Sequence, residues 1–276
     1  MRYNFFMTIL HAIILGLVEG ITEFLPVSST GHMILASTLL HIPESAFVKS
    51  FEVIIQLGAI LAVAVIYIKK LFTNKKLFLS VVYGFVPTAI LGLLLYKKIK
   101  SLMGSPWVVI FSLFIGGMII LATEKWLVNS GQWTEKNENK NLEVGLPSDE
   151  HYVINKSEAG LLGVIQAIAF IPGVSRSGAL IIGGLLRGIP RKTIVEFSFL
   201  LALPTMAAAT GLEVIKNGFT FTPYEYLLLC IGFITAFITA YIAIKTFLRY
   251  ISTHNFTTFG WYRIGVAVFM AIVLLI

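Results

Sequence analysis

Six apolar stretches constrain this chain more than any other feature. They run roughly over residues 52–68, 77–96, 106–127, 194–215, 224–248 and 257–276, and they approach or exceed the ~18 apolar residues that read as a membrane span. Hydrophobic residues make up 57% of the chain and charged ones 13%, the latter about half the ~25% of an average soluble domain. The pattern is that of an all-α polytopic membrane protein with membrane lipids as its surroundings. In such a chain a net charge of +7 reflects loop lysines and arginines at the cytoplasmic leaflet, so nucleic acid is set aside as a partner. The one cysteine, Cys230, lies inside an apolar run and permits no intramolecular disulfide.

Two further stretches are apolar at the edges and polar in the middle. Residues 16–32 read G-L-V-E-G-I-T-E-F-L-P-V-S-S-T-G-H, and residues 163–178 read G-V-I-Q-A-I-A-F-I-P-G-V-S-R-S-G. A shift of 147 places Gly16 on Gly163, Glu19 on Gln166, Ser28 on Ser175, Thr30 on Ser177 and Gly31 on Gly178. Two copies of one pattern half a chain apart are an internal repeat. They differ in chemistry, because the first carries Glu19, Glu23 and His32 while the second carries Arg176.

Residues 5–18 are apolar but too few to cross ~30 Å of hydrocarbon at about 1.5 Å per residue. With residues 33–40 they read as a re-entrant helix pair whose irregular tip, 26–30, must be buried in protein or line a cavity. Residues 158–171 and 179–186 repeat that plan around the second motif. Between the halves, residues 128–157 are rich in Asn, Glu, Lys and Asp and read as a solvated linker. The expectation is one membrane domain, 1–276, of two inverted repeats, about 1–127 and 158–276, with six transmembrane helices and two re-entrant pairs.

Charge orients this arrangement. Lys69, Lys70, Lys75, Lys76, Lys125, Lys136, Lys140, Lys156, Arg187, Arg191, Lys192, Lys245 and Arg249 fall on one face, 13 in all, against six on the other, Arg2, Lys49, Lys97, Lys98, Lys100 and Lys216. The positive-inside rule makes the first face cytoplasmic and puts both termini outside. The first loop then dips in from outside and the second from the cytoplasm, and their tips meet near the midplane, where broken-helix folds place their sites.

The residues at that meeting point suggest phosphate chemistry. Glu19 and Glu23, spaced i, i+4, stack two carboxylates on one helix face and call for a cation, either a divalent ion such as Mg²⁺ or Ca²⁺ or Arg176 from the other repeat. Ser28, Ser29 and Thr30 precede a short helix expected near Gly31, and Ser175, Arg176 and Ser177 precede one near Gly178. Hydroxyls and free N–H groups at two helix starts, with an arginine fork, suit a phosphate or diphosphate. His32 is able to act as acid, base or nucleophile.

Plainer roles compete with these. A serine before a helix is commonly only its N-cap, whereas a charge inside a membrane span is costly enough that Glu19, Glu23 and Arg176 point to function. His11 reads as a packed or hydrogen-bonded helix residue, and His41, His151 and His254 as solvated. Glu52 and Glu196 are expected to open spans, where a carboxylate suits the helix dipole. Gly58, Gly116 and Gly117 read as close-packing positions between helices, and small-residue faces such as Gly116 and Gly117 permit a homodimer without demanding one. There is no G-x-S-x-G elbow, because Ser177 stands where its second glycine belongs, and no P-loop or H-E-x-x-H motif.

The first motif, E-G-I-T-E-F-L-P-V-S-S-T-G-H over 19–32, taken with P-G-V-S-R-S-G over 172–178, resembles the paired signature of the bacterial undecaprenyl-diphosphatase family, the bacitracin-resistance proteins of the cell envelope. F-S-F-L-L-A-L-P over 197–204 and F-G-W-Y-R-I over 259–264 extend the likeness over essentially the whole chain. The resemblance implies hydrolysis of undecaprenyl diphosphate to the monophosphate and inorganic phosphate, recycling the peptidoglycan lipid carrier at the outer face of the plasma membrane. It also implies roles for Glu19, Glu23, Ser28, Ser29, His32, Ser175, Arg176 and Ser177. Glu23, helped by Glu19, is expected to hold the divalent cation, with Arg176 stabilising the transferred phosphoryl group. Ser29 is expected as nucleophile with His32 as base or proton donor, the reverse assignment remaining open. The rival from another class is a carrier or flippase for a phosphorylated lipid or phosphate, since inverted repeats of broken helices also build carriers. The type-2 phosphatidic acid phosphatases fit poorly, because no Arg-Pro dipeptide occurs here.

Overall fold

The computed structural model describes residues 7–102, 105–130, 152–217 and 221–275. Most of the 128–157 linker, with Lys136, Lys140 and His151, lies outside them, as does Arg2. Among the described residues the chain is helical, with no strand. Two short helices, α1 (Ile9–Thr22) and α2 (Ser29–Leu39), are followed by three long ones, α3 (Ala46–Thr73), α4 (Lys75–Leu102) and α5 (Pro106–Asn129). The second half has the same order. α6 (Lys156–Gln166), extended by the 3₁₀ turn Ala167–Phe170, and α7 (Arg176–Leu185) precede α8 (Arg191–Asn217), α9 (Pro223–Ile251) and α10 (Thr257–Leu275).

The six long helices are long and apolar enough to cross a membrane, and the protein is a multi-pass membrane protein. Several outrun their apolar windows because their ends carry residues such as Lys69 and Lys70, whose stems cover apolar surface while their charges reach water. The short helices start in register. Thr8 caps α1 and Asn155 caps α6, each in a capping box whose third helical residue, His11 or Glu158, bonds back to the cap. Ser28 and Ser175 cap α2 and α7 by accepting from the N–H of Gly31 and Gly178. Each of these pairs is 147 residues apart.

Packing follows the same register. α1 lies along α9 and α6 along α4, α5 lies against α10, and α3 packs on α8 and α9. Glycines allow the close crossings: a Cβ on Gly16 would sit 2.7 Å from the Gly232 carbonyl oxygen, and one on Gly163 2.0 Å from that of Gly84. Gly58 and Gly117 meet the carbonyls of Phe233 and Gly260 in the same way, as close-packing positions should. The span within α8 is 56% buried against 22% for those of α4 and α10, so α8 forms the centre while α4 and α10 turn apolar faces outward. Phe24, at the tip after α1, packs edge-on against Phe199 of α8 with ring centroids 5.3 Å apart, and this seats the irregular tip inside protein.

Several local expectations need correction. The first apolar piece does not stop at residue 18. α1 continues through Glu19 to Thr22, because Gly20 lets it close on α9 at the Ala236 carbonyl. α2 and α7 begin at Ser29 and Arg176, two residues earlier than expected, since the serine caps stand directly before them. Glu52 and Glu196 do not open their helices: Glu52 accepts from Ser37 Oγ at 3.3 Å, and Glu196 pairs with Lys70 at 2.6 Å. Arg191, expected in a loop, is buried at the start of α8 in an ion pair with Glu124 of α5. Glu124 Oε1 also accepts from the Phe256 N–H at 2.9 Å.

Candidate active site

The two tips meet, and the second holds the first. Ser177 Oγ donates to the Leu25 carbonyl at 2.8 Å, and Ser175 Oγ lies 3.3 Å from the same oxygen and 3.0 Å from Ser177 Oγ. Both hydroxyls are buried, so they fix the backbone of the first tip as well as standing at the start of α7. Gly173 is obligatory beside them, with φ +88° and no space for a Cβ against the backbone of Val109.

This junction brings together the acidic and basic residues that the motifs had divided. Glu19 is fully buried within α1, and Glu23 is that helix's C-cap. Arg176, the first residue of α7, donates Nη2 to Glu23 Oε1 at 3.3 Å and Nη1 to the Ser198 carbonyl of α8 at 3.2 Å. On its other oxygen Glu23 accepts from Ser29 Oγ at 2.5 Å. A hydroxyl, a carboxylate and a guanidinium from two loops thus form one chain of charge-assisted bonds. Two buried ionic groups at this junction keep atoms without a hydrogen-bond partner: both carboxylate oxygens of Glu19, and Nε of Arg176. A buried carboxylate without a donor is expensive, and with a second carboxylate four residues on, its oxygens are of the type that suits a hard divalent cation. Among the described residues no three His, Cys, Asp or Glu side chains gather as a metal site, so such an ion would draw its remaining oxygens from elsewhere.

His32, one turn on from Ser29 in α2, has other hydrogen-bond partners. Its Nδ1 lies 2.8 Å from the Ser28 carbonyl and its Nε2 2.8 Å from the Tyr262 hydroxyl. Ser28 holds this position with φ 72°, a left-handed backbone uncommon outside glycine. Thr30, expected among the phosphate ligands, is exposed and belongs to none of these bonds.

Arg263 completes the site, and sequence reasoning passed over it. Its guanidinium donates to the carbonyls of Pro26 in the first tip, Gly173 in the second, and Ser112 and Leu113 of α5, at 3.1–3.3 Å. Gly116 makes room for it, since a Cβ there would lie 2.3 Å from Arg263 Nη2. The family model for the bacitracin resistance protein BacA matches residues 12–269. The chain belongs to the BacA family. Among its relatives, a protein named undecaprenyl-diphosphatase from Aquifex aeolicus is 47% identical over 259 residues, covering 94% of this chain and 95% of the relative. Proteins of the same name from a Sulfurihydrogenibium species and from Wolinella succinogenes are 48% and 49% identical over 258 residues, covering 94% of this chain and 96% and 95% of theirs. The match takes in both motifs of this BacA-family chain and the F-G-W-Y-R-I stretch that carries Tyr262 and Arg263. The signal for Arg263 was legible, because it is an ionised residue inside an apolar span, as Arg176 is. Tyr262 gave no comparable signal, since a tyrosine in a membrane helix needs no explanation.

Proposed function

We propose that this protein hydrolyses undecaprenyl diphosphate to undecaprenyl phosphate and inorganic phosphate in the bacterial plasma membrane, from a site open to the extracytoplasmic side, and so recycles the peptidoglycan lipid carrier. The observation that carries this reading is the chain Ser29–Glu23–Arg176, a nucleophile, a base and a cation drawn from both loops. Ser29 Oγ attacks the terminal phosphorus and its proton passes to Glu23. The bond from that phosphorus to the bridging oxygen breaks, and the lipid monophosphate leaves. Water then displaces the serine oxygen, which recovers the proton from Glu23, while one proton of the water goes to His32 and the other stays on the departing phosphate. Arg176 and the N–H groups at the starts of α2 and α7 stabilise charge on the transferred group, with Ser28 and Ser175 holding those helix starts. Glu19 and Glu23 would hold a divalent cation, Mg²⁺ or Ca²⁺, whose charge offsets that of the diphosphate.

The matching order of short and long helices in the two halves, with caps and crossings 147 or 148 residues apart, supports an inverted repeat in which the loops enter from opposite faces. It also favours the second reading, a carrier for phosphorylated lipid. Phosphate release from undecaprenyl diphosphate by purified protein in detergent, with and without chelator, separates the two. Turnover that is lost with chelator and in Glu23→Gln, with a phosphoserine trapped at position 29, is expected. Folded protein that binds the lipid diphosphate without turnover would replace the phosphatase by the carrier, and full activity in Ser29→Ala would eliminate the serine nucleophile.

A further inference from the structure

We infer that Tyr262 is a positioning residue for the hydrolysis, one that fixes the tautomer of His32 and follows its changes of charge. The inference rests on the proton-accepting role given above to His32. A carbonyl oxygen only accepts, so the 2.8 Å contact with the Ser28 carbonyl puts the hydrogen of the neutral ring on Nδ1. Nε2 then carries the lone pair, and the Tyr262 hydroxyl, 2.8 Å away, donates to it. A phenol is both donor and acceptor. With Nε2 protonated, the ring donates to the Tyr262 oxygen, whose own hydrogen then points away, so the same contact serves both charge states of His32.

The placement fits this task. His32 is 8% exposed and Tyr262 47%, so the phenol lies on the outer side of a buried imidazole. Its ring is nearly parallel to that of His32, at an interplanar angle of 5° with centroids 5.5 Å apart, and the hydroxyl approaches Nε2 to 2.8 Å. The next residue, Arg263, anchors this part of α10 to both tips. It is also the cation that bears on His32 from α10, and the phenol accepting from Nε2–H opposes its repulsion when the ring is charged.

Tyr262→Phe removes the hydroxyl alone. kcat for phosphate release should fall about tenfold, the effect of one hydrogen bond next to the reacting groups, with KM changed by no more than about twofold. In a His32→Ala background the same substitution should leave the residual rate unchanged, because a residue acting through His32 has nothing left to act on. Independently of turnover, ¹⁵N spectra of the folded protein should show His32 with a protonated Nδ1 and a hydrogen-bonded, unprotonated Nε2 whose resonance shifts in Tyr262→Phe. Wild-type kcat in Tyr262→Phe, an equal loss in both backgrounds, or an unshifted Nε2 resonance would each overturn the inference. The spectra bear on it even if the protein proves to be a carrier.

Discussion

Glu19 and Gln166 hold matching places in α1 and α6, and their surroundings differ as their charges do. Gln166 donates Nε2 to Thr88 Oγ1 at 3.2 Å, and Thr88 donates in turn to the Gly163 carbonyl at 2.7 Å. That half of the molecule has a polar joint tying α6 to α4. Gly84 and Gly232 mark corresponding crossings, and four residues beyond them stand Thr88 and Ala236. On α9, then, no hydroxyl stands where α4 has one, and both oxygens of Glu19 are left without a donor. The hydroxyls at the tips divide in the same way. Ser177 bonds the opposite tip, while Thr30, its counterpart, is exposed and Ser29 faces Glu23. The second half spends its polar atoms on holding; the first leaves several of its own without such a bond.

The largest effect should come from cutting the link between the halves. Arg176→Ala is expected to lower kcat/KM for phosphate release by about 10³-fold or more, the scale of an arginine on a transferred phosphoryl group, and it leaves Glu23 buried without its cation. Exchanging the matched pair tests the comparison directly. Glu19→Gln, which makes the first half resemble the second, should cost about 10²-fold in kcat and weaken the dependence on added divalent ion. Gln166→Glu should instead cost about 2–3 kcal/mol of stability, read as a lower melting temperature, for a carboxylate buried in a joint made for an amide, while the folded fraction turns over normally. If Gln166→Glu abolished turnover in folded protein, the division of labour would be wrong.

Smaller effects should separate the tip hydroxyls. Ser177→Ala removes the bond to Leu25 and should reduce kcat/KM about fivefold, near 1 kcal/mol. Thr30→Ala should stay within about twofold, as exposed positions usually do. Equal losses at the two positions in the phosphate-release assay would mean that Ser177 acts as a phosphate ligand and not as a brace.

Much of this was legible beforehand. The six spans follow from run length, whereas the starts of α1, α2, α6 and α7 fell two to four residues from where the sequence put them. The pairing of Glu23 with Arg176 was one of two answers that a stacked pair of carboxylates allowed. The hydrogen-bond partner of Ser29 was less legible. His32 was expected to serve Ser29, yet Ser29 bonds Glu23 while His32 bonds Ser28 and Tyr262. The buried pair Glu124–Arg191 and the clamp at Arg263 were missed although each is an ionised residue in or beside an apolar span. Such a residue announces that it has a partner without saying which.

What the sequence determined by itself is what local physics decides. Lipid forces the backbone to satisfy itself, so apolar runs become helices, and caps act over one turn, so the motifs had to be helix starts. The split of acid and base between the two copies was written in residue types alone. Only the tertiary structure decided which hydroxyl meets which carboxylate, that Leu25 is held by Ser177 across 152 residues, and that Arg263 joins two tips whose nearer one lies 90 residues away in the chain. Those contacts depend on how α8 and α10 seat against the tips, and a glycine crossing or a gap such as that at Gly116 sets such positions to within an ångström.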